Sequence, residues 1–216
     1  MKADKLFEIV CPDEYQNVVI EIENIPNIEK LNGRSPMVFS VLGDTERKLY
    51  EESEDKHNFI GTSESIKIFS IEIEEYYSIL KDIDSSGVHD LVMKKLKKYC
   101  NVVPTSYVYI THILLHELGH YQQYVDRGRK VYEYISWCER EERENFRKQQ
   151  ELRAEIQGRV DKLIMPFGPN KGERIKLEKL AKEYRNIPKE KEADDFAYAN
   201  MRKAIEKISD YLKANK

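Results

Sequence analysis

Apolar residues change their spacing near residue 70. Ahead of that point the runs are short and alternating: Leu6–Cys11, Val18–Ile22 and Pro36–Leu42, with Asn32-Gly33 and Gly43-Asp44 as turns between them. Ser65-Ile66-Lys67-Ile68-Phe69-Ser70 alternates most cleanly and predicts a strand, whereas the charge of Arg47 to His57 predicts a loop or an exposed hairpin. Beyond residue 70 the period is helical. Ile73, Tyr76, Tyr77 and Leu80 predict one helix, Ser85-Ser86-Gly87 breaks it, and Val88, Leu91, Val92 and Leu96 predict a second that ends near Cys100. Pro104-Thr105-Ser106 then supplies a break and an N-cap for a third helix. That helix is apolar from Tyr107 to Leu115 and runs to about Asp126, with Gly128 as its stop.

The following stretch, 129–187, is also helical in pattern but carries dense charge. Tyr132, Ile135, Trp137 and Cys138 are placed to pack on the core, and the Arg, Lys, Glu and Gln residues of Glu139 to Glu155 predict a solvated helical hairpin. Met165-Pro166-Phe167-Gly168-Pro169-Asn170 reads as a turn, and Ile175, Leu177, Leu180 and Tyr184 as one stripe of a further helix. Pro188 opens the last helix, which sets Phe196, Ala197, Met201, Ile205, Ile208 and Leu212 at core spacing. No internal repeat is visible.

A chain of 216 residues has room for one good core, or a core with a small appendage. Its net charge of −3 gives no basic field, so no nucleic-acid partner is expected. The first residues lack the apolar segment of a signal peptide, and the Tyr107–Leu115 run is too short to span a bilayer. Cys11, Cys100 and Cys138 are odd in number and far apart, which argues against a disulfide framework or a Cys-x-x-Cys metal pair. These features predict a cytoplasmic protein with no membrane partner.

Chemistry concentrates in the third helix. His116-Glu117-Leu118-Gly119-His120 is an H-E-x-x-H pattern. Histidines four apart on a helix lie about 40° apart around its axis, one turn above each other, so both imidazoles can reach one metal ion. Glu117, displaced by roughly a quarter turn, suits a carboxylate that holds a metal-bound water rather than the metal. Zinc in a catalytic site takes three protein ligands and leaves one position for water, so a third ligand is required. The last helix offers Glu190-Lys191-Glu192-Ala193-Asp194-Asp195-Phe196-Ala197.

That stretch resembles the second signature of the gluzincin metallopeptidases, E-x-x-A-D or E-x-x-A-N followed by an apolar residue and Ala. The nearest resemblance is to the soluble minigluzincins and to ImmA/IrrE-type peptidases, over roughly residues 64–126 and 188–201. It implies an α+β fold with a zincin-like core: a small mixed β-sheet, a zinc helix and a glutamate helix, here with a charged helical insertion. Carried over by position, His116, His120 and Glu190 are the zinc ligands, Glu117 the catalytic base, and Asp194 the group behind a ligating histidine. Glu192, two residues from Glu190 and on nearly the opposite side of the helix, is the competing third ligand should the helix start be displaced. His112, one turn before His116, is a fourth ligand, a supporting group or a core residue. Tyr121, Tyr124 and Tyr198 are candidates to steady an oxyanion or are simply packed. The implied organisation is a mostly β region at 1–63, the core at 64–128, the insertion at 129–187 and the glutamate helix at 188–216. The implied activity is zinc-dependent hydrolysis of a protein or peptide substrate, paired as an extended chain along Ser65–Ser70 as an edge strand. The alternative is a zinc-stabilised regulatory or interaction protein with little turnover. The chain departs from the family in its long insertion and in having no helix-turn-helix ahead of the core.

Overall fold

A computed structural model describes residues 1–15, 18–24, 37–83, 88–101, 103, 105–161 and 171–215. The turns expected at Asn32-Gly33 and Met165–Asn170, the break at Ser85-Ser86-Gly87, and Pro36 and Pro104 lie outside the described residues, as do the side chains of Leu80 and Val88. The fold is α+β, mostly helical, with one three-stranded mixed sheet.

The sheet comprises β1 (Ile20–Glu23), β2 (Met37–Ser40) and β3 (Ser65–Phe69) in the order β1-β3-β2. β1 runs parallel to β3 and β2 antiparallel to it, with Phe39 opposite Ile66. Ser65–Phe69 is therefore the central strand and not the edge that the sequence predicted. Pairing explains the placement: β1 and β2 each pair with β3, whose Ile66 and Ile68 point into the core while Lys67 reaches Glu23 of β1 on the other face. Both neighbours need β3, and the edge nearest the third helix falls to β2.

Two N-terminal readings are corrected. Leu6–Cys11 is not a strand; Ala3–Val10 forms α1. Once Ala3 is counted, Ala3, Leu6, Phe7 and Val10 make an i, i+3, i+4, i+7 stripe, and all four are buried. The run Leu6-Phe7-Glu8-Ile9-Val10 is too short to separate the two periods by itself. The second correction concerns Arg47–His57, predicted as loop or hairpin. Asp44–Glu52 is instead a surface helix, α2, that buries only Tyr50, followed by a 3-10 turn at Lys56–Asn58. Gly43 is its N-cap rather than part of a free turn, and Glu46 accepts hydrogen bonds from the amides of Thr62 and Ser63. Charge density concealed a helix that the Glu46 carboxylate ties to the Thr62–Ser63 segment.

The remaining helices are α3 (Ile73–Ile83), α4 (Val88–Cys100), α5 (Ser106–Asp126), α6 (Val131–Asp161), α7 (Lys171–Tyr184) and α8 (Pro188–Ala214). Thr105 caps α5, its Oγ1 accepting from the Val108 amide at 3.3 Å. Gly128, with φ of +72°, ends it in a left-handed conformation that favours glycine. α5 is buried around most of its circumference, packing on α8, α3, α1 and β2. The main core joins α1, the sheet, α3, α5 and α8, so the first ten residues belong to the same core as the H-E-x-x-H helix. A second cluster of Val41, Leu42, Tyr50, Tyr124, Val131 and Tyr134 sits beside it, and Tyr132, Ile135, Trp137 and Cys138 pack against that cluster. α6 and α7 form the expected hairpin, tied by Asn145 Nδ2 donating to Leu180 O at 3.0 Å. Ile175 and Leu212, placed on core stripes by the sequence, are exposed. No described helix is long and apolar enough to cross a membrane.

Candidate metal centre

Among the described residues α5 and α8 form the most extensive helix–helix contact, and the two backbones come very close inside the motif. A Cβ on Gly119 would meet Ala193 Cα at 2.9 Å and Ala193 O at 3.0 Å. Two small residues, Gly119 and Ala193, thus bring the axes close enough for His116 and His120 to reach Glu190. Gly119→Ala is expected to push α8 outward, lowering stability by about 1–3 kcal/mol as an overpacked core contact does. It should also weaken metal uptake, since backbone atoms of α8 cannot rotate aside. A melt and a metal titration that both match wild type would contradict this.

The approach gathers one ligand atom each from His116, His120 and Glu190, all within 4.8 Å of one another and all buried. His116 Nε2 lies 3.2 Å from Glu190 Oε2, and His120 Nε2 lies 3.7 Å from Glu190 Oε1. The other ring nitrogens are held from behind. His116 Nδ1 is 3.1 Å from Asp194 Oδ1, and His120 Nδ1 is 2.9 Å from Gln123 Oε1. The Gln123 amide cannot be reversed, because its Nε2 donates to Lys189 O at 2.6 Å. Nδ1 of His120 must then carry the proton, which leaves Nε2 with a lone pair facing the cluster. Two imidazoles and a carboxylate, each oriented by a further group, are a donor set that could hold a metal ion.

Electrostatics follow from burial. It holds the pKa of His120 down to about 3, with the nearby His116 adding to the effect. Burial and the Arg185 guanidinium oppose protonation of His116, but its bonds to Asp194 and Glu190 outweigh them and its pKa is raised. Burial alone would raise the Glu190 carboxyl, yet the hydrogen bond and charge of His116 hold it well below the usual carboxylate range. Tyr184 Oη donates to Glu190 Oε1 at 2.8 Å.

Glu117 faces the same cleft, a space of about 550 Å³. Its Oε2 accepts from the Phe39 amide of β2 at 3.2 Å, so the outer edge of β2 flanks the carboxylate. Burial pushes the Glu117 pKa up, against the lowering effects of His116 and the Phe39 amide. The hairpin overhangs this space: Tyr134 and Cys138 of α6, and Tyr184 and Arg185 at the end of α7, line it.

Other sequence candidates fall elsewhere. His112 is fully buried behind the cluster, with Nε2 3.5 Å from Asp194 Oδ1, and burial holds its pKa down to about 3. It lies outside the three-residue cluster, and its Nε2 has no hydrogen-bond partner among the described residues. Glu192 points to the helix flank, 3.6 Å from Arg127, and its side chain is 52% exposed. The hydroxyl of Tyr121 accepts from Arg129 and that of Tyr124 donates to Arg129 O, both away from the cleft. Tyr198 packs on His112 and Tyr99. Gln123, Tyr184, Arg185 and the Phe39 amide were not anticipated. Gln123 had a signal in its i+3 spacing from His120; the rest come from distant segments whose approach no local pattern encodes. No protein-family model matches the sequence, and neither the curated proteins nor the solved structures give a match.

Proposed function

We propose that the chain is a zinc-dependent metalloendopeptidase of the gluzincin type, built on a zincin-like core and acting on a protein or peptide substrate. The observation that carries the reading is the convergence of His116, His120 and Glu190 from two helices, with Glu117 beside them in one cleft. Zinc held by the three would acidify a water and polarise a peptide carbonyl. Glu117 takes the proton of the attacking water and returns it to the leaving amine, a task suited to a carboxylate made more basic by burial. Asp194 and Gln123 keep the two imidazoles in the tautomer and orientation that the ligand role requires. β2, as the edge strand beside Glu117, offers backbone pairing to an extended substrate. The hairpin restricts entry and excludes water.

Metal analysis of the purified chain, joined to a peptide-library digest with and without a chelator, tests the proposal. One zinc per chain and cleavage that stops on chelation are expected. A metal-free protein, or cleavage indifferent to the chelator, contradicts it. The overhang of Tyr134, Cys138, Tyr184 and Arg185 favours one second reading, a zinc-stabilised regulatory protein whose hairpin keeps substrates out. A zinc-loaded chain that leaves the whole library intact would favour that reading.

A further inference from the structure

Arg185 sits in the turn between α7 and α8 and projects into the cluster, its side chain 12% exposed. Nη1 stands 3.3 Å from Glu190 Oε2 and 3.5 Å from His116 Nε2, two of the atoms that face the centre of the cluster. Nη2 donates to Asp194 Oδ1, the same oxygen that approaches His116 Nδ1. Lys95 Nζ approaches the other Asp194 oxygen at 3.7 Å. Glu190 and Asp194, two buried carboxylates, are faced by three side-chain cations, Arg185, Lys95 and, 3.9 Å from Glu190 Oε1, Lys189, and the one that touches both carboxylates is Arg185. A guanidinium does not lose its proton in a protein, so it cannot yield by deprotonation. A divalent cation entering this set adds positive charge where cations already face both carboxylates, in a buried place where repulsion is weakly screened. The guanidinium is also incompletely held: Nε is buried with no hydrogen-bond partner among the described residues, so the fork uses only its two outer nitrogens. The turn that carries it is closed by i to i−3 and i−4 backbone bonds of Arg185, Asn186 and Ile187, and releasing it disturbs no strand pairing.

We propose that Arg185 is a built-in counter-cation of the His116–His120–Glu190 cluster, which competes with a divalent metal for Glu190 and Asp194 and so couples the α7–α8 turn to metal occupancy. The proposal rests on the metal-binding reading above. It makes the insertion a sensor of the site as well as its cover: metal entry displaces the guanidinium, and the end of α7 is released with it.

The test uses the full chain as wild type, Arg185→Met and Arg185→Lys. Zinc dissociation constants are measured by competition with a chromophoric chelator, and melting is followed with and without zinc. Arg185→Met should bind zinc at least about tenfold more tightly than wild type, because a buried positive charge next to the cation is gone. Its metal-free form should melt lower than wild type, with Asp194 left short of a partner, so that zinc raises its Tm by more. Arg185→Lys, with a point charge in place of the fork, should fall between the two. Binding by the Met variant that is equal to or weaker than wild type overturns the proposal and makes Arg185 a scaffold for the two carboxylates. If the Met variant folds only with zinc, hydrogen exchange of wild-type residues 181–187 decides the matter. Faster exchange on zinc addition supports release of the turn; unchanged exchange overturns it. Absence of zinc uptake by all three proteins removes the metal-binding reading itself, and this proposal with it.

Discussion

Glu117→Gln is expected to bind zinc and melt as wild type does while cleaving peptides about 10²–10⁴-fold more slowly, the range over which a positioned general base contributes. The substitution is close to isosteric. The hydrogen bond that the carboxylate accepts from the Phe39 amide at 3.2 Å can be kept by the amide oxygen of Gln, so β2 has no reason to shift. His116 loses a neighbouring negative charge, but its own anchors, Asp194 and Glu190, are untouched. What disappears is the capacity to accept a proton. The measurement is kcat/KM on any peptide that wild type cleaves, taken alongside zinc content and Tm for both proteins. Equal rates with equal zinc would remove Glu117 from the chemistry. A slow variant that has also lost zinc would place Glu117 among the groups that build the site.

The site was legible where its parts are close in sequence. His116, Glu117 and His120 lie on one helical turn, and the helix announces itself by an apolar run, a cap at Thr105 and a stop at Gly128. Elements with one strong period were found for the same reason: β3, α3, α4, α5 and α8. The errors came where two periods fit one short segment, as in α1, and where charge masked a helix, as in α2. The rank of a strand within its sheet is a different kind of failure. The alternation of Ser65–Phe69 reports that one face is buried, and edge or centre depends on partners tens of residues away, here Ile20–Glu23 and Met37–Ser40. Arg185 illustrates the limit most sharply. In the sequence it is one of many basic residues in a charged stretch. Only the fold distinguishes it, by setting its guanidinium between Glu190 and Asp194.

Glu190→Ala should all but abolish zinc binding, and Glu192→Ala should change it by less than about fivefold, the scale of an exposed ion pair. The two carboxylates are two residues apart on α8 and meet opposite surroundings. Glu190 is 3% exposed, with its oxygens 3.2 and 3.7 Å from the Nε2 atoms of His116 and His120. Removing it takes away the only acidic member of the cluster and leaves two imidazoles, one of them His116 with Nε2 3.5 Å from Arg185 Nη1. Glu192 touches the site only at second hand, accepting from Gln123 Nε2 at 3.3 Å, and Gln123 keeps its stronger anchor on Lys189 O without it. Asp194→Ala should fall between, weakening zinc by about 10–100-fold, as loss of a group that orients a ligating histidine does. It should also lower the melting temperature of the metal-free chain, because Arg185 and His116 both rely on that carboxylate. Chelator competition on the three variants ranks them directly. The expected order of zinc affinity is Glu192→Ala, then Asp194→Ala, then Glu190→Ala. Loss of zinc in Glu192→Ala with retention in Glu190→Ala would mean that α8 meets α5 in a register different from the one that Gly119 and Ala193 impose.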